Sequence, residues 1–171
     1  MATRSSLSDV ESLASFAQLW NFDLVFDNLP TGVSGSLREM TFRCRSTTLP
    51  SQEIEDMLIE LHGVSINRAG RATNDHHFQA TFLDSDAWDM RAAFIQWREL
   101  IRSWKGNTGS SADVYATSAT IILYGDDGSD VKKEIKLQKV WPQSIGEVQF
   151  EGNTSGPGEL NVTFSYDYID E

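Results

Sequence analysis

The sequence predicts a mainly β domain of about eight strands, chiefly antiparallel, with one helix. Three observations predict it. Apolar and polar residues alternate with a period of two in segment after segment, the pattern of half-buried strands. An Asp-Gly turn and a Gly-rich connection join neighbouring segments as hairpins. One stretch, Phe82 to Gly106, breaks the rule with apolar residues at helical spacing and holds three of the five tryptophans. The 171 residues, 40% of them apolar, are enough for one core and one domain.

Along the chain, the first 18 residues are set apart as an N-terminal arm. Leu7, Val10, Leu13, Ala14 and Phe16 carry a weak amphipathic pattern diluted by serines. The β domain is expected from residue 19 to the C-terminus. In "WNFDLVFDN" the residues Trp20, Phe22, Leu24 and Phe26 share one face. In "EMTFRCRS" a second strand is expected to point Met40, Phe42 and Cys44 inward and Glu39, Thr41, Arg43 and Arg45 outward. An irregular, acidic region, "STTLPSQEIED", follows. Met57 to Ile66 reads as strand, with Gly63 as a bulge or bend. "HHFQATFL" alternates through Phe78, Ala80 and Phe82.

The helix is expected at about 85–104. Ser85 or Asp84 can cap its start, and Lys105 with Gly106 suits its end. Met90, Phe94, Trp97, Ile101 and Trp104 form one stripe, which makes those tryptophans packing residues. Trp88 lies around from the stripe, against a sheet edge or a partner chain. "DVYATSATIILYG" and "VKKEIKLQKVW" flank Asp126, Asp127 and Gly128 as a hairpin. "IGEVQF" and "ELNVTFSYDYI" form a second pair, with Leu160, Val162, Phe164, Tyr166 and Tyr168 on one face.

Fourteen basic against 25 acidic residues leave a net charge of −11. Such a surface repels phosphate, which argues against tight binding of nucleic acid or anionic membrane. No apolar run reaches membrane-spanning length and no secretory signal is evident, so cytoplasmic synthesis is expected. The single cysteine, Cys44, excludes an internal disulfide and reads as a buried thiol. No phosphate-cradling loop, zinc helix, nucleophile elbow or dinucleotide fingerprint is present. His76 and His77 would point to opposite faces of a strand and so would not share a metal. The expectation is a non-enzymatic protein without cofactor or metal.

Four stretches in order, "FRCRSTTLP", "INRAGRATND", "FLDSDAWDMRAAFIQW" and "KKEIKLQKVWPQSIGEVQF", together with the closing "NVTFSYDY", resemble the tail tube proteins of contractile-tailed bacteriophages. The resemblance implies two packed antiparallel sheets forming a small barrel or sandwich with one flanking helix. It also implies hexameric rings stacked into the inner tail tube, a conduit for DNA ejection. Sheath, baseplate, tail terminator and tape-measure proteins are the implied partners, with DNA in transit but not tightly bound and no membrane partner. The same resemblance places Glu39, Thr41, Glu60, His62, Ser118, Thr120 and Glu134 on the channel wall, beside Arg43, Lys132 and Lys136. It places Leu49, Pro50, Glu53, Ile54, Glu55, Asp56, Arg68 and Arg71 at ring-to-ring contacts, with Met57 adding an apolar contact. The rival readings are a tube from a phage-derived bacteriocin or secretion particle, a tube-initiator relative, and, from a different class, a monomeric β-barrel binder.

Overall fold

The computed structural model describes residues 17–153 and 155–170. The arm residues Leu7 to Phe16 lie outside them. The elements are β1 (Phe22–Phe26), α1 (Leu37–Arg43), β2 (Cys44–Thr47), β3 (Glu53–Leu61), β4 (Val64–Thr73), β5 (His77–Leu83), α2 (Asp89–Ile101), α3 (Ala112–Tyr115), β6 (Thr117–Tyr124), β7 (Val131–Ile145), β8 (Glu159–Ser165) and β9 (Tyr168–Asp170).

All strand pairs are antiparallel. Most of them follow one path, β1-β6-β7-β8-β5-β2, with β9 on the side of β7. β7 serves both layers. Its first half pairs with β6 and β9, its second half with β8. The switch falls at Lys139, whose φ of 55° puts it in the left-handed region. A left-handed residue shifts the inward alternation by one, from Ile135 and Leu137 to Val140 and Pro142, all buried. The path does not close: β1 pairs only with β6 and β2 only with β5 among the described strands. The fold is therefore an open sandwich, not a closed barrel.

The core lies between the layers and under α2. Phe164 of β8 sits at its centre, with ring centroids 5.1 Å from Phe78, 5.4 Å from Phe26, 5.8 Å from Phe94 and 6.4 Å from Trp97. Those rings come from β5, β1 and α2, so one side chain ties both sheets to the helix. Trp97 is fully buried and donates its indole N–H to the Tyr115 carbonyl at 2.7 Å, which satisfies the polar end of the ring. The alternations read in β5 and β8 hold, and that of β1 holds from Phe22 on: Leu24, Phe26, Phe78, Ala80, Phe82, Leu160, Val162 and Phe164 are buried, whereas Trp20, read onto the same face as Leu24, precedes the strand and is exposed. Tyr166 is buried as expected, whereas Tyr168 is exposed, because the chain bends between β8 and β9.

Several expectations are corrected. Leu37–Arg43 is a helix, not a strand. Met40 is buried on its inner face, while Phe42, 72% exposed, carries the Arg38 guanidinium 5.3 Å above its ring. Leu37 and Met40, three apart, are the spacing that a strand reading could not use. The main helix is shorter than expected: Met90, Phe94 and Trp97 are buried and Ile101 half-buried, but Trp104 lies past the end, 79% exposed. Asp113 and Tyr115 sit on the short helix α3, and "IGEVQF" is not a strand of its own, because β7 runs on through Trp141 and Pro142 to Ile145.

Candidate functional site

The two-stranded sheet β3–β4 stands apart from the sandwich. It is a hairpin of nine and ten residues joined by the two-residue turn His62-Gly63, both with positive φ (50° and 79°). That combination is what a tight hairpin turn requires. At about 3.4 Å per residue, β3 projects its tip about 27 Å from its base. Of its strand residues only Ile59 and Thr73 are even half-buried.

Register gives the hairpin two unlike faces. Met57 pairs with Arg68, Ile59 with Ile66 and Leu61 with Val64, so five apolar residues and one arginine share a face. The opposite face carries Asp56 with Ala69, Leu58 with Asn67 and Glu60 with Ser65. An alternating strand normally buries its apolar face; this one leaves it open, with Met57, Leu61, Val64 and Ile66 all exposed. Near the base the register slips between Ile54 and Asp56. Gly70 accommodates the slip, since a Cβ there would stand 2.8 Å from the Glu55 carbonyl oxygen.

This hairpin collects most of the residues expected at ring contacts. Glu53, Ile54, Glu55 and Asp56 lie on β3, Arg68 and Arg71 on β4, while Leu49 and Pro50 lie in the segment leading to it. The region read as irregular is thus largely regular strand. The acidic and basic residues expected to meet between rings lie on the two paired strands of this hairpin, and none of the acidic ones is directly opposite Arg68 or Arg71. Met57 to Ile66, read as one strand with a bulge or bend at Gly63, is two antiparallel strands; the signal for it was His62-Gly63 between the alternating Met57, Ile59 and Leu61 and the alternating Val64 and Ile66.

The residues expected on the channel wall divide into three groups. Ser118, Thr120 and Glu134 do share a surface, the outward face of β1-β6-β7. Asp23, Val25, Asp27, Ile122, Lys136 and Gln138 lie on it as well: the Ser118 hydroxyl donates to Gln138 at 2.7 Å, and Lys136 lies 3.3 Å from Asp27. The Tyr124 hydroxyl donates to Asp23 at 2.9 Å, and that bond to a carboxylate raises its pKa above the ordinary 10.0. Glu60 and His62 are not on this face but at the hairpin tip, and His62 is a turn residue rather than a strand residue. Glu39 and Thr41 are not on any strand: they ride on α1, where the Thr41 hydroxyl donates back to the Leu37 carbonyl at 3.2 Å. Lys132 points to the β6–β7 turn, 2.5 Å from Asp130, and that bond raises its pKa.

Trp88 packs within its own chain and stays half-buried. It stands in the left-handed region (φ 57°), edge-on to Phe150 with centroids 5.4 Å apart, and its ring lies against Gly158. Asp84 holds the approach to α2, accepting from the backbone N–H groups of Ser85 (2.8 Å), Met90 (3.0 Å) and Arg91 (3.1 Å). The Ser85 hydroxyl accepts from the Asp89 backbone N–H at 3.2 Å and donates to the Asp89 carboxylate at 3.1 Å. Cys44 is half-buried; burial first, and the nearby Asp23 charge second, push its thiol up to about 12. A thiol so held is a poor nucleophile. Among the described residues no three His, Cys, Asp or Glu side chains are grouped to hold a metal ion, and no helix is long and apolar enough to cross a membrane.

What the described surface offers is therefore area for contact: an uncovered apolar hairpin face, two sheet edges and a polar sheet face. The chain is 31% identical over 134 residues to tail tube protein gp19 of Enterobacteria phage T6, covering 77% of this chain and 81% of that one, and the gp19 of phage T4 matches to the same extent. Among solved structures, a chain of the extended sheath-tube complex of an extracellular contractile injection system has the same fold, with a TM-score of 0.57 over 98% of this chain and 97% of that one at 13% identity. The model of the phage tail tube protein family matches residues 23–170, and the chain belongs to that family.

Proposed function

We propose that this tail tube protein works by self-assembly alone, as hexameric rings stacked into the inner tube of a contractile tail, and has no enzymatic activity. The observation that carries the reading is the apolar face of β3–β4, which a monomer exposes and a neighbouring subunit would cover. The free edges β1 and β2 support it as well, because strand pairing across subunits would satisfy backbone groups that the isolated sandwich leaves to water. In this reading the sheath surrounds the tube, baseplate and terminator bound its ends, a tape-measure protein sets its length, and assembly takes place in the host cytoplasm.

The outward face of β1-β6-β7 is the proposed channel wall. Ser118, Thr120 and Gln138 are neutral there, Val25 and Ile122 are apolar and half-buried, and Asp23, Asp27 and Glu134 outnumber Lys136. A wall that is polar with a negative excess leaves DNA phosphates hydrated and releases no counterions, so DNA passes without sticking. A phage-derived injection particle is the second reading, favoured only by the fold shared with the extracellular system; the 31% identity to the two gp19 proteins favours a phage tail.

Electron microscopy of the purified protein with light scattering over a concentration series tests the proposal. Six-fold rings or hollow filaments are expected. A strictly monomeric species at every concentration, even with tail-initiation components added, would overturn it.

A further inference from the structure

Besides the two ends of the strand path, β7 itself offers an unpaired edge. It pairs with β6 and β9 only as far as Val140, and from Trp141 to Ile145 its one partner among the described strands is β8. Two adjoining clefts of about 310 and 370 Å³ run between this stretch and α2, sharing Arg98 and Gln143. Every residue from Trp141 to Ile145 lines them. Side chains of a strand alternate between its two faces, so five consecutive residues along one wall make that wall the strand's edge.

The opposite wall is basic. Arg91, Ile95, Arg98 and Arg102 recur at steps of four, three and four along α2 and its C-cap, one stripe about 17 Å long beside the buried stripe of Met90, Phe94 and Trp97. All four line the clefts, and no Asp or Glu does. Glu99 approaches Arg98 only loosely, at 3.7 Å, and is not part of the lining. The Arg102 guanidinium meets no carboxylate among the described residues. The exposed Trp104 ring, with the Arg98 guanidinium 5.1 Å from its centroid, adds an aromatic surface to the same groove.

We infer that this groove takes an extended acidic segment of a partner protein, whose backbone pairs with the β7 edge and whose carboxylates meet Arg91, Arg98 and Arg102. The inference goes beyond the tube reading and does not rest on it, because the groove is complete in one subunit. Strand and stripe match in length: alternate side chains of an extended segment recur every 6–7 Å or so, so three or four carboxylates span about 17 Å. A free strand edge supplies affinity through main-chain hydrogen bonds, and guanidinium groups select carboxylates by their paired donors. Charge also decides against nucleic acid. The chain carries −11 in total, so the surface beyond the three arginines is more acidic still. A long polyanion leaving the groove would cross that surface, whereas a short segment stays within the stripe. A sugar-phosphate backbone, besides, has no amide ladder to match a strand edge.

The test uses a fluorescein-labelled peptide, Glu-Val-Glu-Val-Glu-Val-Glu, and fluorescence anisotropy with the full chain. The peptide is expected to bind, and its affinity to fall about tenfold or more when every Glu is replaced by Gln or when the protein carries Arg98→Glu/Arg102→Glu. Arg38→Glu, on α1 and outside the groove, should leave the affinity unchanged. A second measurement needs no variant: in the unmodified chain, amide exchange at residues 143–145 should slow on binding, and a peptide N-methylated along one edge should bind about tenfold more weakly. Absence of binding, equal affinity of the Gln peptide, an unaffected double variant or unchanged exchange at residues 143–145 each overturn the inference. Tighter binding of a twelve-nucleotide oligothymidine overturns it in favour of nucleic acid. Sedimentation of the same samples reports assembly separately, so failure to form filaments sinks the tube reading and leaves this one standing.

Discussion

Replacing Asp84 by alanine removes the acceptor for three backbone N–H groups, two of them in the first turn of α2. Loss of one capping side chain costs about 1 kcal/mol and up to about 2 where the freed groups are partly shielded. Asp84 is half-buried and serves two helix donors, so the cost should fall at about 1.5–2 kcal/mol. In a domain of this size that lowers the midpoint of thermal unfolding by about 4–6 °C. Ser85→Ala loses only the exposed contact with Asp89 and should cost about 0.5 kcal/mol. Asp84→Asn keeps one acceptor oxygen and should fall between the two. Urea denaturation of the three variants under one buffer, with unchanged slopes, measures the order. The reasoning is refuted if Ser85→Ala costs as much as Asp84→Ala, or if Asp84→Ala lies within about 0.5 kcal/mol of the parent.

Two further outcomes follow from local geometry. Gly70→Ala brings a Cβ to 2.8 Å from the Glu55 carbonyl, so the hairpin base must distort; thermal unfolding should shift by less than about 1 °C while filament yield collapses, because the hairpin lies outside the core. Cys44 should be alkylated at pH 8 roughly a hundredfold or more slowly than a free thiol, since burial keeps it protonated. The same shift destabilises the fold in alkali. The folded thiol holds its proton to about 12 while the unfolded one ionises near 9.0, so the stabilising contribution is complete below pH 9 and is lost between those values. Cys44→Ala should flatten the stability profile across that window.

The parts of the fold that were legible in the sequence are those whose two faces differ. β1, β5 and β8 alternate cleanly because one face meets Phe164 and its neighbours and the other meets water. The helix was legible for the same reason, and its end was misplaced only because Trp104 continues the spacing without continuing the burial. α1 was misread because seven residues hold fewer than two helical turns, too few to separate a period of 3.6 from a period of 2. Leu37 and Met40 fit the helix, while Met40, Phe42 and Cys44 fit a strand that does not form.

The candidate site was legible in composition more than in form. The acidic, apolar region before Ile66 was placed at subunit contacts, and it does form the uncovered hairpin. Its regularity was hidden because both strands alternate against a face that the single chain never buries. The residues expected on the channel wall divide because a shared face is defined only once the strands and their sheet are known: Glu60 lies on a true strand, but in the separate hairpin. Ser118, Thr120 and Glu134 lie on true strands and share a face; Glu39 and Thr41 do not.

An exposed apolar hairpin invites uncontrolled association unless something opposes it, and here the opposing influence is charge. Each copy carries −11, and Glu53, Glu55, Asp56 and Glu60 lie on the same β3 strand that presents Met57, Ile59 and Leu61. Two such subunits repel over about a Debye length, roughly 10 Å at 0.1 M salt, while apolar contact acts only on touching. Raising ionic strength should therefore weaken the repulsion more than the contact. The critical concentration for assembly is expected to fall between 0.05 and 0.5 M sodium chloride, by about tenfold, read by light scattering at fixed temperature. Had ion pairs of Glu53, Glu55 and Asp56 with Arg68 and Arg71 of another ring been the dominant contact, screening would raise that concentration instead. A rise would refute apolar docking as the driving contact and return the arginines to that role, so the sign of one salt titration distinguishes the two modes of assembly.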